Sequence, residues 1–272
     1  MMSNLPVQPV AVFADARAYE RFMGRWSSLL APLFAGFSGV RDGDAILDVG
    51  SGTGSLVLAI MSMVKPGRIV GVDSAASYVK SARGRTGDGC VSFEVADAQD
   101  LRFVHAEFDR TLSLLVLNFI PDARKALREM IRVTKPGGTV AAAVWDYSKG
   151  MEMLRVFWDE AVALDPTSDV RDERHMPFCR RGELATLWRE LGLREVQEKG
   201  LTIALKFSSF DDFWMPFLAG QGPAGAYVAA LGPSLRSQLA QRLRQRLLHG
   251  GADGPVTLKA RAWAVKGIVS SH

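Results

Sequence analysis

The segment from Ala45 to Gly54, AILDVGSGTG, constrains the fold most, because it joins an apolar run to a turn with a glycine at every second position. Ile46, Leu47 and Val49 are typical of a strand buried in a parallel sheet. Glycines let a ligand approach the backbone, and the amides of such a turn and of the helix that follows it are free donors. The segment therefore predicts a nucleotide or nucleoside-like ligand.

A second element favours the same kind of ligand. A strand predicted over 68–72 is followed by Asp73, about 20 residues after the turn, where an acid can bind ribose hydroxyls. The glycine spacing is G-x-G-x-G, and Ser55 stands where the dinucleotide fingerprint G-x-G-x-x-G has its third glycine. A tight strand-to-helix connection without a ligand is the structural alternative.

Strands and helices alternate through the first half of the chain, which indicates an α/β fold with a parallel sheet covered on both faces. The pattern predicts strands near 45–49, 68–72, 91–95, 110–117 and 139–145, and helices near 54–64, 75–84 and 122–134. Later elements are predicted as a helix over 183–191, one or two strands over 194–207 and a last strand over 257–268.

Two helical segments flank this core. Apolar residues at helical spacing predict a leader over 13–38, with Asp15 as its N-cap and with breaks at Gly24 and Pro32. The segment 208–254 is helical in pattern, and we interpret it as an inserted lid whose aromatic group either walls a pocket or packs on the core. That group consists of Phe210, Phe213, Trp214, Met215 and Phe217.

Four motifs in order, LDVGSGTG, GVDSA, ADAQDL and ALREMIRVTKPGG, resemble those of class I S-adenosylmethionine-dependent methyltransferases. They are most similar to the branch of ubiquinone and menaquinone biosynthesis enzymes, over about Tyr19 to Trp145. The resemblance implies a Rossmann-like sheet of seven strands in which an antiparallel last strand lies between the fifth and sixth. It also implies a single methyltransferase domain over 1–272, with its cofactor-binding core at 39–146.

The resemblance assigns S-adenosylmethionine as cofactor and suggests a role for each matching residue. Asp73 binds both ribose hydroxyls, Asp97 accepts from the adenine amino group beside the Ala98 amide, and Asp48 orients the glycine turn. Tyr19 and Arg25 close over the cofactor, although their spacing also fits a core residue and a surface residue respectively. The full set of expected contacts is Tyr19, Arg25, Asp48, Gly50, Ser51, Gly52, Thr53, Asp73, Ser74, Asp97, Ala98 and Leu114.

No motif identifies a catalytic residue. Transfer to a phenol or hydroxyl is helped by a base, whereas transfer to an activated carbon or a free amine needs little beyond placement. The candidates for contact with the acceptor are His175, Asp146, Tyr147 and Asn118.

Composition limits the partners. The chain has 272 residues, 48% of them hydrophobic, and a formal charge of +4 that is spread along the sequence, which disfavours a nucleic-acid surface. Cys90 and Cys179 lack metal-ligand spacing, so the sequence predicts no metal site and a reduced, cytoplasmic protein. No run is long enough to cross a membrane. The oligomeric state stays open.

The favoured function is methyl transfer to a small molecule, either aromatic, quinone-like or lipid-like. The chain has Asn118-Phe119-Ile120-Pro121 where enzymes that methylate base amines carry N-P-P-Y or D-P-P-Y, which disfavours such substrates. Two alternatives remain: an NAD(P)-dependent oxidoreductase, and a protein that binds S-adenosylmethionine without transferring its methyl group.

Overall fold

The computed structural model describes residues 16–270, and a single seven-stranded sheet organises them. Its order is β3-β2-β1-β4-β5-β7-β6, with β7 antiparallel between β5 and β6. This confirms the Rossmann-like topology that the motifs implied. The strands are β1 (Ala45–Val49), β2 (Arg68–Asp73), β3 (Val91–Val95), β4 (Phe108–Leu114), β5 (Thr134–Trp145), β6 (Arg194–Phe207) and β7 (Val256–Ile268).

The strand order reverses at β1, which pairs in parallel with β2 on one side and with β4 on the other. Ile46, Leu47 and Val49 are fully buried although successive side chains point to opposite faces, so both faces of the sheet are covered. A crevice at the carboxyl ends of such strands is where α/β sheets bind ligands.

Helices occupy most of the connections, and those predicted near 54–64, 75–84 and 122–134 form close to the expected bounds. The helices after β1 are α3 (Ser55–Met63), α4 (Ala76–Arg83), α5 (Ala123–Val133), α6 (Glu152–Leu164), α7 (Glu183–Glu190), α8 (Phe210–Trp214), α9 (Gly222–Ala230) and α10 (Pro233–Leu248). The sequence patterns did not predict α6. β4 ends at Leu114 and not at 117, because Leu115 takes a left-handed conformation with φ 65°.

The leader consists of α1 (Ala16–Tyr19), a π-helical turn (Glu20–Gly24) and α2 (Arg25–Ser38). The expected break at Pro32 is wrong, since α2 continues through it. Pro32 lies on the exposed side, and the burial of Leu30 and Phe34 compensates for the one backbone hydrogen bond that proline cannot make. The predicted cap at Asp15 lies outside the described residues.

Within residues 16–270, the aromatic side chains of 208–254 pack in the core and do not line the cavity at the carboxyl ends of the strands. Phe217 stacks on Phe157 of α6 with ring centroids 4.6 Å apart, and it contacts Phe22 of the leader edge-on at 5.1 Å. Phe210, Phe213 and Trp214 are also buried, whereas Met215 is 58% exposed. These contacts join the insertion to the leader and to α6.

Candidate cofactor-binding site

A cavity of about 400 Å³ lies at the carboxyl ends of β1, β2 and β4. Every residue expected to contact the cofactor lines this cavity except Arg25. The lining residues come from the glycine turn, the ends of four strands and the leader helix. The structure therefore brings together side chains that are distant in sequence around one volume.

The glycine turn is hydrogen-bonded to the neighbouring strand, β2. The amides of Gly50 and Ser51 donate to the Val72 carbonyl oxygen at 2.8 and 2.9 Å. Gly50 has φ 76°, and a Cβ on it would lie 2.6 Å from Val116 Cγ1. Gly52 has φ 53°, but its Cβ would meet no atom within 4 Å. The fold thus requires glycine at position 50, whereas at position 52 the open space is available to a ligand.

Asp73 connects the turn to the next helix. Its Oδ2 accepts from the Gly52 amide at 2.9 Å, and its Oδ1 accepts from the Ala75 amide at 2.8 Å. Burial raises the pKa of this carboxyl, and the two amide donors partly oppose the rise. Each carboxylate oxygen can accept a second hydrogen bond, so Asp73 keeps the capacity to bind two ribose hydroxyls.

Asp48 is a buried carboxyl without a hydrogen-bond partner among the residues that the structure describes. It is 1% exposed, and burial together with the nearby Asp73 raises its pKa to about 8. The expectation that Asp48 orients the glycine turn is corrected, because neither of its oxygens accepts from a turn amide. An unpartnered buried carboxyl fits a ligand with a positive charge, and S-adenosylmethionine carries a sulfonium and an ammonium group.

This raised pKa predicts that the ligand-free protein loses stability as the pH rises. Between the ordinary value of 3.8 and about 8, the folded state holds a proton on Asp48 that the unfolded state has lost. The free energy of unfolding therefore falls with increasing pH across this range. Thermal unfolding at several pH values should show a shallower slope for Asp48→Asn than for the wild type. If the two proteins showed the same dependence of thermal stability on pH, the raised pKa of Asp48 would be contradicted.

The leader helix closes one side of the cavity. The Tyr19 hydroxyl hydrogen-bonds Ser27 Oγ at 3.1 Å, its ring lies 5.3 Å from that of Tyr78, and burial raises its pKa to about 12. Glu20 accepts from the Thr53 hydroxyl and, at 3.3 Å, from Arg85. The leader is thus bonded to the glycine turn.

Arg25 lies outside the cavity, contrary to the expectation from the resemblance. Its guanidinium donates to Asp212 Oδ1 at 2.7 Å and lies 4.1 Å from the centroid of the Trp26 ring. A carboxylate and aromatic faces satisfy this cation, so it joins the leader to the start of α8 and does not reach the cofactor.

Arg25→Ala is therefore expected to reduce the free energy of unfolding by about 1 kcal/mol, since the ion pair is partly exposed and its contribution is screened. S-adenosylhomocysteine should bind the variant with an affinity within about twofold of the wild type, because no cofactor contact is lost. Chemical denaturation and calorimetry measure the two quantities. A large loss of affinity at unchanged stability would restore the original expectation.

Of the candidates for contact with the acceptor, only Tyr147 lines the cavity. Burial and the nearby Glu173 hold its pKa well above 10, so the hydroxyl stays protonated and is a hydrogen-bond donor, not a base. Asn118 is buried beside it and donates to Met176 Sδ at 3.3 Å.

The other two candidates are bound elsewhere. His175 is half exposed and lies 3.1 Å from Asp169. Asp146 is buried and accepts from Arg261 Nε at 3.0 Å. Both side chains have partners outside the cavity, and neither contributes to its described wall.

Sequence reasoning missed residues of the cavity wall and a buried carboxyl outside it. Trp145 and Tyr78 line the cavity, whereas Glu173 lies outside the wall near Tyr147, and burial raises its pKa to about 7. The position of Trp145 at the carboxyl end of β5 was a usable signal, since ligands bind at strand ends. Glu173 lies in a short helical turn and accepts from Trp158 of α6, a partner that no local pattern indicates.

Within residues 16–270, no group of His, Cys, Asp and Glu is arranged to hold a metal ion, and Cys90 and Cys179 are free thiols. No helix in the same range has the length and apolar character needed to cross a membrane.

Comparison with known proteins agrees with this geometry. Residues 47–142 match the methyltransferase domain family. The ubiquinone/menaquinone biosynthesis C-methyltransferase UbiE of Pseudomonas savastanoi is 39% identical over 122 residues, 43% of this chain and 47% of that protein. The chain thus spans about half the length of the curated relatives it matches.

Two solved structures share the fold over most of the chain. One is a chain from a complex that contains the Haloferax volcanii Trm112 methyltransferase activator, with a TM-score of 0.61, 22% identity, and coverage of 97% of this chain and 98% of that one. The other is Haemonchus contortus phosphoethanolamine N-methyltransferase 2 with phosphomonomethylethanolamine and S-adenosylhomocysteine, with a TM-score of 0.58, 19% identity, and coverage of 94% and 57%. Residues 47–142 thus match a methyltransferase domain family, and the two solved structures share the fold of the chain.

Proposed function

We propose that this protein transfers the methyl group of S-adenosylmethionine to a small-molecule acceptor. The observation that carries the proposal is the cavity in which the glycine turn, Asp73 and the unpartnered Asp48 surround one volume at the strand ends. A nucleoside with a positively charged arm matches these three features together.

Each part of the site has a distinct task in this proposal. Asp73 binds the ribose, Asp97 binds the adenine amino group, and the backbone at Gly52 faces the methionine arm. The cofactor supplies a methyl group on a sulfonium, which makes that carbon electrophilic. The negative charge that Asp48 acquires on losing its proton balances the positive charge of the bound ligand.

Placement of the acceptor accounts for most of the catalysis. Holding two reactants in line and in contact can lower the barrier by about 7–11 kcal/mol without a covalent intermediate. Tyr147, which stays protonated, orients the acceptor by a hydrogen bond. No histidine belongs to the described cavity wall, so the proposal includes no histidine base.

The rest of the wall favours an apolar acceptor. Leu115, Val116, Phe119, Ile120 and Trp145 line the cavity together with Tyr147. Such a surface suits an aromatic, quinone-like or lipid-like molecule. The name of the Pseudomonas relative, a C-methyltransferase of quinone biosynthesis, supports the quinone-like option. A phosphorylated acceptor such as the one bound to the Haemonchus enzyme is disfavoured, because no Lys or Arg belongs to the described wall.

Methyl transfer can be tested directly with cofactor that is tritium-labelled in the methyl group. We expect label to pass into a small molecule that extracts into organic solvent when hydroxylated naphthalenes, quinols or lipids are offered, with S-adenosylhomocysteine released in equal amount. The Asp73→Ala variant is the control and should transfer no label. Label found in protein or nucleic acid would contradict a small-molecule acceptor. Tight cofactor binding without transfer to any acceptor would favour a binding protein.

A further inference from the structure

Three tryptophans of the described chain are less than 2% exposed, and two of them have an acceptor for the indole N–H group. Trp158 Nε1 donates to Glu173, and Trp188 Nε1 donates to the Val140 carbonyl oxygen at 3.0 Å. The third is Trp145, whose Nε1 has no hydrogen-bond partner in the part of the chain that the structure describes. Buried polar groups are nearly always paired, and a buried donor without a partner destabilises the fold. The indole of Trp145 therefore calls for an acceptor from outside the described chain.

Trp145 is also a residue of the described cavity wall, whereas Trp158 and Trp188 are not. It is the last residue of β5, and it pairs with Ala262 of β7. The carboxyl end of β5 belongs to the edge of the sheet where α/β folds bind ligands. An indole N–H can donate a hydrogen bond but cannot accept one, so the ligand atom that meets it must carry a lone pair.

The wall around Trp145 does not satisfy this donor. The segment after β4 contributes only apolar side chains to the described wall, namely Leu115, Val116, Phe119, Ile120 and Pro121. Tyr147 is the polar side chain that follows Trp145 in the wall, and it makes no hydrogen bond to the indole. A bound molecule with a lone pair would satisfy the indole without a rearrangement of the chain.

The strand order indicates which of the two ligands this molecule is. The groups assigned to the adenosine part of the cofactor, which are the glycine turn, Asp73 and Asp97, follow β1, β2 and β3. β4 separates β1 from β5. With neighbouring strands about 4.8 Å apart, the end of β5 lies about 10 Å from the end of β1 and about 20 Å from the end of β3. Trp145 is thus on the side of the cavity away from the adenosine.

We propose that Trp145 is a substrate-binding residue whose indole N–H donates a hydrogen bond to a lone pair of the methyl acceptor. This inference rests on the proposed function and adds a residue that orients the acceptor. The hydrogen bond forms only when the acceptor is bound, so the donor that lacks a partner in the free protein contributes to acceptor affinity. Since the wall after β4 is apolar, this one bond fixes which edge of the acceptor faces β5.

Nuclear magnetic resonance of protein with isotope-labelled tryptophan indole nitrogens observes this donor directly. The chain has six tryptophans, and the signal that is missing from Trp145→Phe belongs to Trp145. Protein saturated with S-adenosylhomocysteine is titrated with quinoline, with isoquinoline and with naphthalene. The two heterocycles have one ring nitrogen with a lone pair and are uncharged in mildly alkaline buffer, whereas naphthalene has the same shape and no lone pair.

We expect at least one heterocycle to move the Trp145 indole proton further downfield than naphthalene does. Equal shifts with all three ligands overturn the inference, and so does the absence of a shift with both heterocycles. An equally large downfield shift on binding of S-adenosylhomocysteine alone would assign the donor to the cofactor and also overturn the inference.

A matched pair of variants distinguishes contact with the ligand from a structural role. Trp145→Phe and Trp188→Phe remove the same ring atoms from equally buried positions, but only Trp188 loses a hydrogen bond within the chain. Trp145→Phe should therefore lower the midpoint of chemical denaturation less than Trp188→Phe does. An equal or larger loss would mean that the indole is bonded within the fold, which overturns the inference.

The same two variants are compared in ligand affinity by calorimetry. Trp145→Phe should weaken binding of the heterocycle that shifts the indole signal by about three- to tenfold, and should leave the affinities for naphthalene and S-adenosylhomocysteine within about twofold of wild type. Trp188→Phe should change none of these affinities. Wild-type affinity of Trp145→Phe for the heterocycle overturns the assigned role.

Failure of this inference and failure of the proposed function give different results. If wild-type protein does not bind S-adenosylhomocysteine at all, the proposed function itself is wrong. If it binds S-adenosylhomocysteine but neither heterocycle affects the Trp145 signal, the methyltransferase proposal stands and only the role of Trp145 is wrong.

Discussion

Replacing Asp73 with Ala is expected to weaken S-adenosylhomocysteine binding by about 100-fold or more. The carboxylate is assigned two ribose hydroxyls, and a hydrogen bond to a charged group contributes about 1.5–3 kcal/mol. Asp73 also accepts from the amides of Gly52 and Ala75 at 2.9 and 2.8 Å, so the substitution leaves one donor of the glycine turn and one donor at the start of α4 without their partner. The lost hydrogen bonds to the ribose and the lost support of the backbone beside it both weaken ligand binding. We therefore expect this substitution to have the largest effect on affinity.

Calorimetric titration of wild-type and variant protein measures this effect. Asp100→Ala is the matched control, because Asp100 is an exposed carboxyl of the loop after β3 and does not line the cavity. The control should bind with wild-type affinity. Asp73→Asn should lie between the two, since its amide oxygen can still accept one backbone hydrogen bond. If Asp73→Ala retained wild-type affinity, the ribose assignment would be wrong.

Gly50→Ala is expected to reduce the free energy of unfolding by about 2–5 kcal/mol. Its Cβ would lie 2.6 Å from Val116 Cγ1, and overpacking of this kind costs about 1–3 kcal/mol. The left-handed φ of 76° adds about 1–2 kcal/mol for a residue with a side chain. Because domains are stable by only about 5–15 kcal/mol, this is a large fraction of the total.

The Gly52→Ala variant distinguishes an effect on folding stability from an effect on ligand affinity. Its φ of 53° carries a similar conformational cost, but its Cβ meets no atom of the chain within 4 Å. We expect a loss of stability of only about 1–2 kcal/mol, together with a large loss of S-adenosylhomocysteine affinity, because the methyl group occupies ligand space. Chemical denaturation and calorimetry on both variants distinguish the two effects. If Gly50→Ala and Gly52→Ala were equally destabilised and Gly52→Ala kept its ligand affinity, the assignment of Gly50 to the fold and of Gly52 to the ligand would be wrong.

The elements that the sequence predicted well are those specified by local patterns. β1 and β3 form at the expected residues, and Asp73 lies at the end of β2, because apolar runs, glycines and a following acid are contiguous signals. The pattern of its own residues predicted the strand β7, whereas its antiparallel position between β5 and β6 was implied by the motif resemblance alone.

The features that could not be predicted depend on partners far along the chain. Arg25 binds Asp212, which is 187 residues away, and Phe217, which follows α8, packs against Phe22 of the leader and Phe157 of α6. Pro32 is tolerated because tertiary burial compensates for a local defect. Asp48 lacks a hydrogen-bond partner because of the way in which distant segments surround it in the cavity, and no local sequence pattern predicts this.

The most direct test of the account is calorimetric titration of the wild-type protein with S-adenosylhomocysteine, NAD and NADP in parallel. The glycine turn and Asp73 suit a ribose in all three ligands, but the match of residues 47–142 to the methyltransferase domain family favours only the first. We predict binding of S-adenosylhomocysteine at about micromolar concentration and no heat with the nicotinamide cofactors. Binding of NAD or NADP without binding of S-adenosylhomocysteine would contradict methyl transfer and favour an oxidoreductase.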